Sequence, residues 1–252
     1  MGKVLAIINQ KGGVGKSTTA EALAAGLTLR GYHTLTVDLD AQGNTSYTLG
    51  AKQDGITALD LLLRRAAAQD AIQHTKDNVD VIAASKSLAG ADGYITETGK
   101  EYRLKEALET AVGLYDYIII DTPPALGILT INALTACNGV IIPAQADIYS
   151  LQGIEQLEAT MEPVKKYCNP SLQVEGILLT RFNPRSILSR QVANAAKALA
   201  QRLGGKLYKA TIREAVAIKE AQINQQSIFA YAPKSKVAKD YARFIDELLG
   251  EE

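Results

Sequence analysis

The sequence has only two cysteines, Cys137 and Cys168, and neither belongs to a C-x-x-C pair. Isolated cysteines are typical of reduced, structural thiols, not of a disulfide framework. No apolar run reaches the roughly 18 residues that a membrane-spanning helix needs, and the first, residues 4–8, is far shorter. No basic start followed by an apolar segment and a small-residue cleavage site is present either, so no secretory signal is predicted. We therefore expect a cytoplasmic protein.

The chain also lacks an excess of charge of either sign, because 27 Lys and Arg balance 27 Asp and Glu. The charges are nevertheless unevenly distributed. Residues 181–243 contain 13 basic and 3 acidic residues, a net charge of +10, which leaves −10 on the rest of the chain. A basic segment of this kind is a candidate surface for a polyanion. A solvated face whose charges scatter in space is the alternative, and the counts leave both open.

Strand-like and helix-like segments alternate along the chain without a linker, repeat or low-complexity tract. Strands are predicted at KVLAIIN, HTLTVDLD, NVDVIAA, YDYIIID, GVIIPAQ and QVEGILLTRF. Helices are predicted at residues 17–30, 101–113, 128–137, 150–168, 186–203 and 234–249. This alternation predicts an α/β fold, in which a mostly parallel, twisted sheet carries helices on both faces. We expect one domain over residues 1–252.

A glycine-rich loop, NQKGGVGKST (residues 9–18), follows the first predicted strand. Its glycines allow successive backbone N–H groups to point at one anion, and the positive end of the following helix points to the same place. Lys16 is placed to reach the β- and γ-phosphates of a nucleotide, and the Ser17 hydroxyl to bind Mg²⁺. The nucleotide contacts predicted from this loop are Gly12, Gly13, Val14, Gly15, Lys16, Ser17 and Thr18.

The loop departs from the usual pattern G-x-x-x-x-G-K-[ST] at two adjacent positions. Gln10 stands where the leading glycine belongs, and Lys11 adds a second cation. A plain solvated lysine is one interpretation of Lys11. A second contact to the triphosphate is the other.

Two further predicted strands end in carboxylates. Asp121 closes YDYIIID, and Asp38 and Asp40 lie at the end of HTLTVDLD. We expect these acids beside the phosphates, with Ser17, Asp40 and Asp121 as the magnesium ligands. The segment VDLDAQGN contains no Glu, so we expect Asp40 to position water and hydrolysis to be slow. Turn formation is the alternative role for the pair Asp38 and Asp40.

These residues resemble the ParA/MinD family of P-loop ATPases, whose deviant Walker A motif is x-K-G-G-x-x-K-[ST]. The motif reads QKGGVGKST here, and the resemblance continues through VDLDAQGN, IIIDTPPALGILTINAL and YAPKSKVAKDYARFIDELL. It covers essentially the whole chain. Within the family the chain is most similar to the short ParA/Soj proteins that segregate plasmids or chromosomes, because it begins at the first strand without a helix-turn-helix extension.

The resemblance implies an ATPase that uses ATP and Mg²⁺ and that forms a homodimer when ATP is bound. In such a dimer the lysine at position 11 reaches the nucleotide of the other subunit, so that Lys11, Lys16 and Asp40 are the catalytic residues. Asp38 and Asp40 match the first switch, Asp121 matches the Walker B acid, and residues 122–132 match the second switch. The residues that match the region around the base are Thr180, Arg181, Asn183 and Ile212.

The resemblance also implies that the ATP-bound dimer binds double-stranded DNA without sequence preference, in the cytoplasm at the nucleoid. A ParB-like centromere-binding protein would then stimulate hydrolysis and release the DNA. The basic segment fits this function because nonspecific DNA affinity comes mainly from counterion release. Ala217 stands where relatives often have an arginine, which leaves the DNA surface less defined. The candidate DNA contacts are Arg185, Arg190, Lys197, Arg213 and Lys219.

Three other functions are compatible with the same fold. A MinD-like membrane ATPase would carry a basic amphipathic helix at its end, whereas this chain ends in DELLGEE, so no membrane partner is expected. A metabolic or metal-cluster enzyme would carry cysteine pairs or a substrate lid, and neither is evident. An ATPase that positions a cargo other than DNA remains open.

Overall fold

The computed structural model describes residues 2–251, with the backbone alone at position 148, and its strands form one eight-stranded sheet. The strands are β1 (Lys3–Ile7), β2 (Thr34–Asp38), β3 (Ile72–His74), β4 (Asp80–Ile82), β5 (Tyr117–Asp121), β6 (Gly139–Gln145), β7 (Gln173–Thr180) and β8 (Lys206–Thr211). Their order across the sheet is β3-β4-β2-β5-β1-β6-β7-β8. β3 runs antiparallel to β4, and the other neighbouring pairs of these strands are parallel. The predicted α/β fold class is confirmed.

Helices cover both faces of the sheet. They are α1 (Lys16–Thr28), α2 (Asn44–Thr48), α3 (Ala58–Leu62), α4 (Ala68–Ala71), α5 (Ala91–Tyr94), α6 (Arg103–Leu108), α7 (Ile128–Ala136), α8 (Ile148–Tyr167), α9 (Ile187–Arg202), α10 (Val216–Ile223), α11 (Ile228–Tyr231) and α12 (Lys236–Leu249). Short 3₁₀ turns lie at Lys86–Gly90 and Lys100–Tyr102.

The two faces bury different residues of the same strands. In β5, Ile118 and Ile120 pack in one apolar cluster with α7 and α8, while Ile119 packs in a second cluster with α1 and α12. Successive side chains of a strand point to opposite faces, and here both faces are covered, which is why these strands are continuously apolar.

The last helix, α12, packs its apolar stripe against the sheet, as its pattern predicts. Val237, Tyr241 and Phe244 are buried, and the Phe244 ring meets the edge of the Tyr208 ring at 4.8 Å between centroids. Gly250 ends the helix in the left-handed conformation. The apolar face of α12 is therefore occupied by the core.

The structure corrects several predicted boundaries. The helix expected at residues 101–113 ends as α6 at Leu108, after which short i→i+3 turns lead to the next strand. The strand expected to continue to residue 182 stops at Thr180, because Arg181 adopts a positive φ of 47°. β3, β8 and α10 are elements that the pattern did not predict. β3 and β8 are edge strands, and Lys206 and Lys209 interrupt the apolar pattern of β8.

Glu21 is an acidic residue within the buried face of α1. It is 4% exposed, and its Oε1 has no hydrogen-bond partner among the described residues. Burial raises the pKa of the Glu21 carboxyl well above its ordinary value, and hydrogen bonds with Thr48 and Gln222 only partly oppose this effect. The folded protein therefore holds the Glu21 proton more tightly than the unfolded chain does.

We expect this proton to make the nucleotide-free protein less stable as the pH rises. The unfolded carboxyl releases its proton near its ordinary pKa of 4.5, whereas the folded one keeps it, so the free energy of unfolding falls as the pH rises from that value through the higher folded pKa. Glu21→Gln removes this loss. The free energy of unfolding, measured with urea, should rise relative to the wild type by about 1 kcal/mol or more between pH 5 and pH 8. Exposed Glu109→Gln is the control. Parallel pH profiles for wild type and Glu21→Gln would show this prediction to be wrong.

Candidate nucleotide site

The glycine-rich loop joins β1 to α1 and faces open space. Gly13 and Gly15 have positive φ angles of 75° and 89°, which a side chain would strain. A Cβ added at Gly12 or Gly13 would meet no heavy atom within 4 Å. The loop therefore presents bare backbone at the N-terminal end of α1, where an anion is stabilised.

Neighbouring strands hold the loop in place through its carbonyl groups. Gln145 Nε2 donates to the Gly13 carbonyl oxygen at 2.7 Å, and Thr180 Oγ1 donates to that of Val14 at 2.7 Å. In a trans peptide the N–H points away from the C=O, so anchoring these carbonyls turns the following N–H groups to the opposite side. Thr180, predicted to lie near the base, is thus also a support of the phosphate loop.

Three parallel strands end level with one another beside this loop. Asp121 at the end of β5 is in register with Ile7 of β1 and with Asp38 of β2. The three predicted carboxylates therefore meet at one edge of the sheet, but they occupy different depths. Asp38 and Asp121 are fully buried, while Asp40 is 9% exposed and lines the cleft.

Asp38 organises the chain after β2 and does not line the cleft. Its Oδ2 accepts hydrogen bonds from Ser46 N at 2.9 Å and Ser46 Oγ at 2.7 Å, and its Oδ1 accepts one from Asp40 N at 3.0 Å. Burial, and then the charge of Asp121, raise the pKa of Asp38 to about 7. Its contacts within the described chain are those of a residue that shapes the loop bearing Asp40.

Asp121 has one satisfied and one unsatisfied oxygen. Its Oδ2 accepts from Thr45 Oγ1 at 2.7 Å, while the buried Oδ1 has no hydrogen-bond partner among the described residues. Burial raises the pKa of Asp121 to about 6, against the opposing effects of Thr45, Ser17 and Lys16. Burial also lowers the pKa of Lys16, while Asp121 and Asp40 raise it.

These oxygen groups fit a magnesium ion. The unpartnered Oδ1 of Asp121, the nearby Ser17 hydroxyl and the Asp40 carboxylate are the hard ligands that Mg²⁺ prefers. Within residues 2–251 there is no cluster of three or more His, Cys, Asp or Glu that could hold a metal. Mg²⁺ typically takes one or two carboxylates together with substrate phosphates, so the fit requires a bound nucleotide.

The cleft above the loop has a volume of about 640 Å³ and opens into a narrower pocket of about 130 Å³. Ile212, Ile218 and Tyr241 line the narrower pocket, which suits an apolar ring system such as a nucleotide base. Arg181 lines both cavities. Asn183 instead turns toward the start of α9, where its Oδ1 accepts from Arg185 N at 3.1 Å.

Helix α10 contributes to this site two residues that the sequence does not mark. Ile218 and Gln222 line the narrower pocket, and Gln222 Nε2 also contacts Thr18 Oγ1 at 3.4 Å. No local sequence pattern identifies these two residues, because the fold, and not the neighbouring sequence, places α10 beside the pocket. Lys219, a candidate DNA contact, lines the nucleotide cleft from the same helix.

Lys11 is paired within its own chain. Its Nζ donates to Asp147 Oδ2 at 2.7 Å, and its backbone N–H donates to Asn9 Oδ1 at 2.9 Å. The side chains of Lys11 and Asp147 are 29% and 30% exposed, so the lysine is not simply solvated. Contact with the nucleotide of a second subunit remains a prediction.

Apart from Lys219, the candidate DNA contacts separate into two environments. Arg185, Arg190 and Lys197 are exposed at the start and along one face of α9, as their spacing predicts. Arg213 instead forms a bidentate ion pair with Asp240, at 2.6 Å from Nε and 2.8 Å from Nη2. Arg213 is therefore engaged within the chain, away from the group on α9.

No helix within the described residues combines the length and the apolar character needed to cross a bilayer. This agrees with the absence of a long apolar run in the sequence.

Comparison with known proteins gives matches over nearly the whole chain. A family model described as an AAA domain matches residues 2–174. The sporulation initiation inhibitor protein Soj of Bacillus subtilis is 43% identical over 252 residues, 98% of this chain and 98% of Soj. The chromosome partitioning protein ParA of Myxococcus xanthus is 39% identical over 253 residues, 99% of this chain and 88% of that protein. The structure of cobyrinic acid a,c-diamide synthase from Mycobacterium smegmatis with bound ADP and magnesium is similar with a TM-score of 0.85 and 35% identity, covering 99% and 94% of the two chains.

Asp121→Asn should have opposite effects on the empty and the loaded site. At pH 8 the Asp121 carboxylate is ionised although burial raises its pKa to about 6, so the neutral amide should raise the melting temperature of the nucleotide-free protein. The same change removes a predicted magnesium ligand, so the further stabilisation by Mg²⁺ and an ATP analogue should be lost. Thermal unfolding with and without both ligands measures the two effects, and exposed Asp54→Asn is the control. Full stabilisation of Asp121→Asn by magnesium and nucleotide would contradict the metal assignment.

Proposed function

The chain belongs to the ParA/Soj family of partition ATPases, and we propose that it couples ATP-dependent dimerisation to reversible DNA binding. In this proposal residues 1–252 form a single P-loop ATPase domain. Two subunits enclose two ATP molecules, the dimer binds DNA without sequence preference, and slow hydrolysis releases it. A ParB-like centromere-binding protein stimulates that hydrolysis in the cytoplasm at the nucleoid.

One observation carries the proposal: a cation, Lys11, lies at the edge of an open phosphate cradle already supplied with its own lysine. Lys16 lies deep in the cleft and is 6% exposed, while Lys11 lies nearer the surface. A nucleotide bound in the cradle would already have Lys16 as its own-chain cation. The second lysine, which pairs with Asp147 in this structure, is therefore not required by that nucleotide and can exchange to a triphosphate in a facing subunit, which supports dimerisation controlled by ATP.

The residues of the cleft have different roles in hydrolysis. The loop N–H groups and Lys16 hold the phosphates, and the magnesium ion held by Ser17, Asp40 and Asp121 would neutralise phosphate charge. Asp40 orients the attacking water. An aspartate that only orients water is a weak base, so slow intrinsic turnover follows, and a partner that completes the site accelerates it.

The face of α9 supports the DNA-binding step. Arg185, Arg190 and Lys197 are exposed, and α9 buries its opposite side through Val192 and Ala196. Basic side chains on one rigid face release counterions together when they meet a duplex. The ion pair of Arg213 and the position of Lys219 in the cleft make those two residues poorer candidates.

The MinD-like alternative is less well supported by the structure. Membrane binding would need a free amphipathic helix, but the apolar face of α12 packs in the core through Tyr241 and Phe244. An ATPase that positions another cargo remains a variant of the same proposal. The likeness to a cobyrinic acid synthase makes a metabolic ATPase a further alternative. A rate of ATP hydrolysis that depends on DNA would favour the partition ATPase over this alternative.

DNA retention should depend on the nucleotide state. In gel-shift assays with unrelated duplexes, we expect binding with ATP but not with ADP or without nucleotide. Lys11→Ala should abolish DNA binding because the dimer loses the contact between Lys11 and the nucleotide of the facing subunit. Asp40→Ala should prolong DNA binding because hydrolysis stops. Binding that does not change with nucleotide would overturn the proposal.

The DNA surface can be tested through its salt dependence. Arg190→Ala and Lys197→Ala should each reduce the slope of log affinity against log salt by about two, because each removes one phosphate contact from each subunit of the dimer. Neither should change ATP binding. Lys76→Ala is the matched control, since this exposed lysine lies between β3 and β4 at the far edge of the sheet. Equal losses for all three variants would point to net charge instead of a defined face.

A further inference from the structure

We propose that Asp147 is a positioning residue that holds Lys11 in its own subunit and thereby sets the ATP concentration at which two subunits pair. The inference rests on the proposed function, because it assumes that Lys11 acts on the nucleotide of a second subunit. It adds a competitor for that lysine within the same chain.

The ion pair between these residues is specific and partly shielded. Lys11 Nζ lies 2.7 Å from Asp147 Oδ2, and about 30% of each side chain is exposed. Burial alone would raise the pKa of Asp147, but hydrogen bonds from Lys11 and Ser150 outweigh it and lower the pKa. Asp147 is therefore a carboxylate at neutral pH, and Lys11 is its cationic partner.

Asp147 is fixed, so the lysine is the partner that moves. Asp147 is the N-cap of α8, where it accepts from Ser150 N at 2.9 Å and from Ser150 Oγ at 3.1 Å. α8 also packs closely against the loop, because a Cβ at Gly153 would lie 3.1 Å from Asn9 Oδ1. Lys11 has a flexible four-carbon stem that can swing away from this rigid position.

The loop also contacts β6, the strand that precedes α8, at two points. Asn9 Nδ2 donates to the Pro143 carbonyl at 2.8 Å, and Gln145 donates to the Gly13 carbonyl. The end of β6 and the N-cap of α8 thus contact the loop at residues 9, 11 and 13 through residues 143, 147 and 145. Of these three contacts, the one at Lys11 is the ion pair, and it is the contact that a phosphate can replace.

In this inference Lys11 leaves Asp147 when it binds a phosphate of the facing subunit. Dimerisation therefore includes the breaking of the Lys11–Asp147 pair, and removal of the carboxylate should favour the dimer. For a pair this exposed to solvent, we expect the apparent dimer affinity to change by about two- to tenfold. If Asp147 instead aimed Lys11 at the partner, its removal would weaken the dimer.

Asp147→Asn is the decisive variant, because asparagine is an equally good N-cap but carries no charge. Sedimentation velocity with Mg²⁺ and a non-hydrolysable ATP analogue should show an apparent dimer dissociation constant about two- to tenfold lower than that of the wild type. With ADP both proteins should stay monomeric. The difference between them should shrink as salt is raised, which a purely structural effect on α8 would not produce.

Two controls separate the ion pair from the helix cap. Ser150→Ala removes a cap contact and leaves the ion pair in place, so its dimer affinity should equal that of the wild type. Asp147→Asn in a Lys11→Ala background should have no further effect on pairing. A gain in Asp147→Asn that persists without Lys11 would overturn the inference.

The sedimentation results distinguish failure of the role of Asp147 from failure of the proposed function. If the wild type dimerises with the analogue and the dimer affinity of Asp147→Asn is equal or lower, the role of Asp147 is wrong. The proposed function is then unaffected. A wild type that stays monomeric with the analogue overturns both.

Discussion

The candidate site depends on one constraint, the level ending of three parallel strands. β1, β5 and β2 are in register at Ile7, Asp121 and Asp38, so the phosphate loop and both buried carboxylates meet at one edge of the sheet. The two faces of these strands pack in different apolar clusters, so a slip of one residue would move each side chain into the cluster on the opposite face. A shift of one residue would move Asp121 away from Lys16 and Ser17. The chemistry of the cleft is therefore positioned by the packing of the core.

Burial places these charged groups in an environment that favours their neutral forms. It raises the pKa of Asp38 and Asp121 and lowers that of Lys16, and Asp121 retains an oxygen without a partner among the described residues. A magnesium nucleotide would supply the missing opposite charges, so part of its binding free energy would offset the cost of the buried groups. The same groups would then make the folded state more stable with ligand than without it.

The parts of this arrangement that could be predicted are those that local sequence determines. Gly13 and Gly15 have the positive φ angles that a tight loop requires, and Asp121 ends an apolar run of the length and composition typical of a buried strand. The contributions of α10, the left-handed Arg181 and the Arg213–Asp240 pair depend on contacts between distant segments, which no local pattern contains. The same is true of Lys11: the motif marks it as unusual, but its partner is 136 residues away.

A lysine at position 11 suits the exchange between two acceptors that we propose. An arginine facing Asp147 could form two parallel hydrogen bonds of fixed geometry, as Arg213 does with Asp240. A lysine carries a compact charge without a preferred plane, so it can leave a carboxylate for a phosphate with little loss of geometry. In the proposed mechanism this makes Lys11 a reversible contact. An arginine would bind both acceptors more rigidly, and pairing of subunits would then respond less readily to the loss of the γ-phosphate.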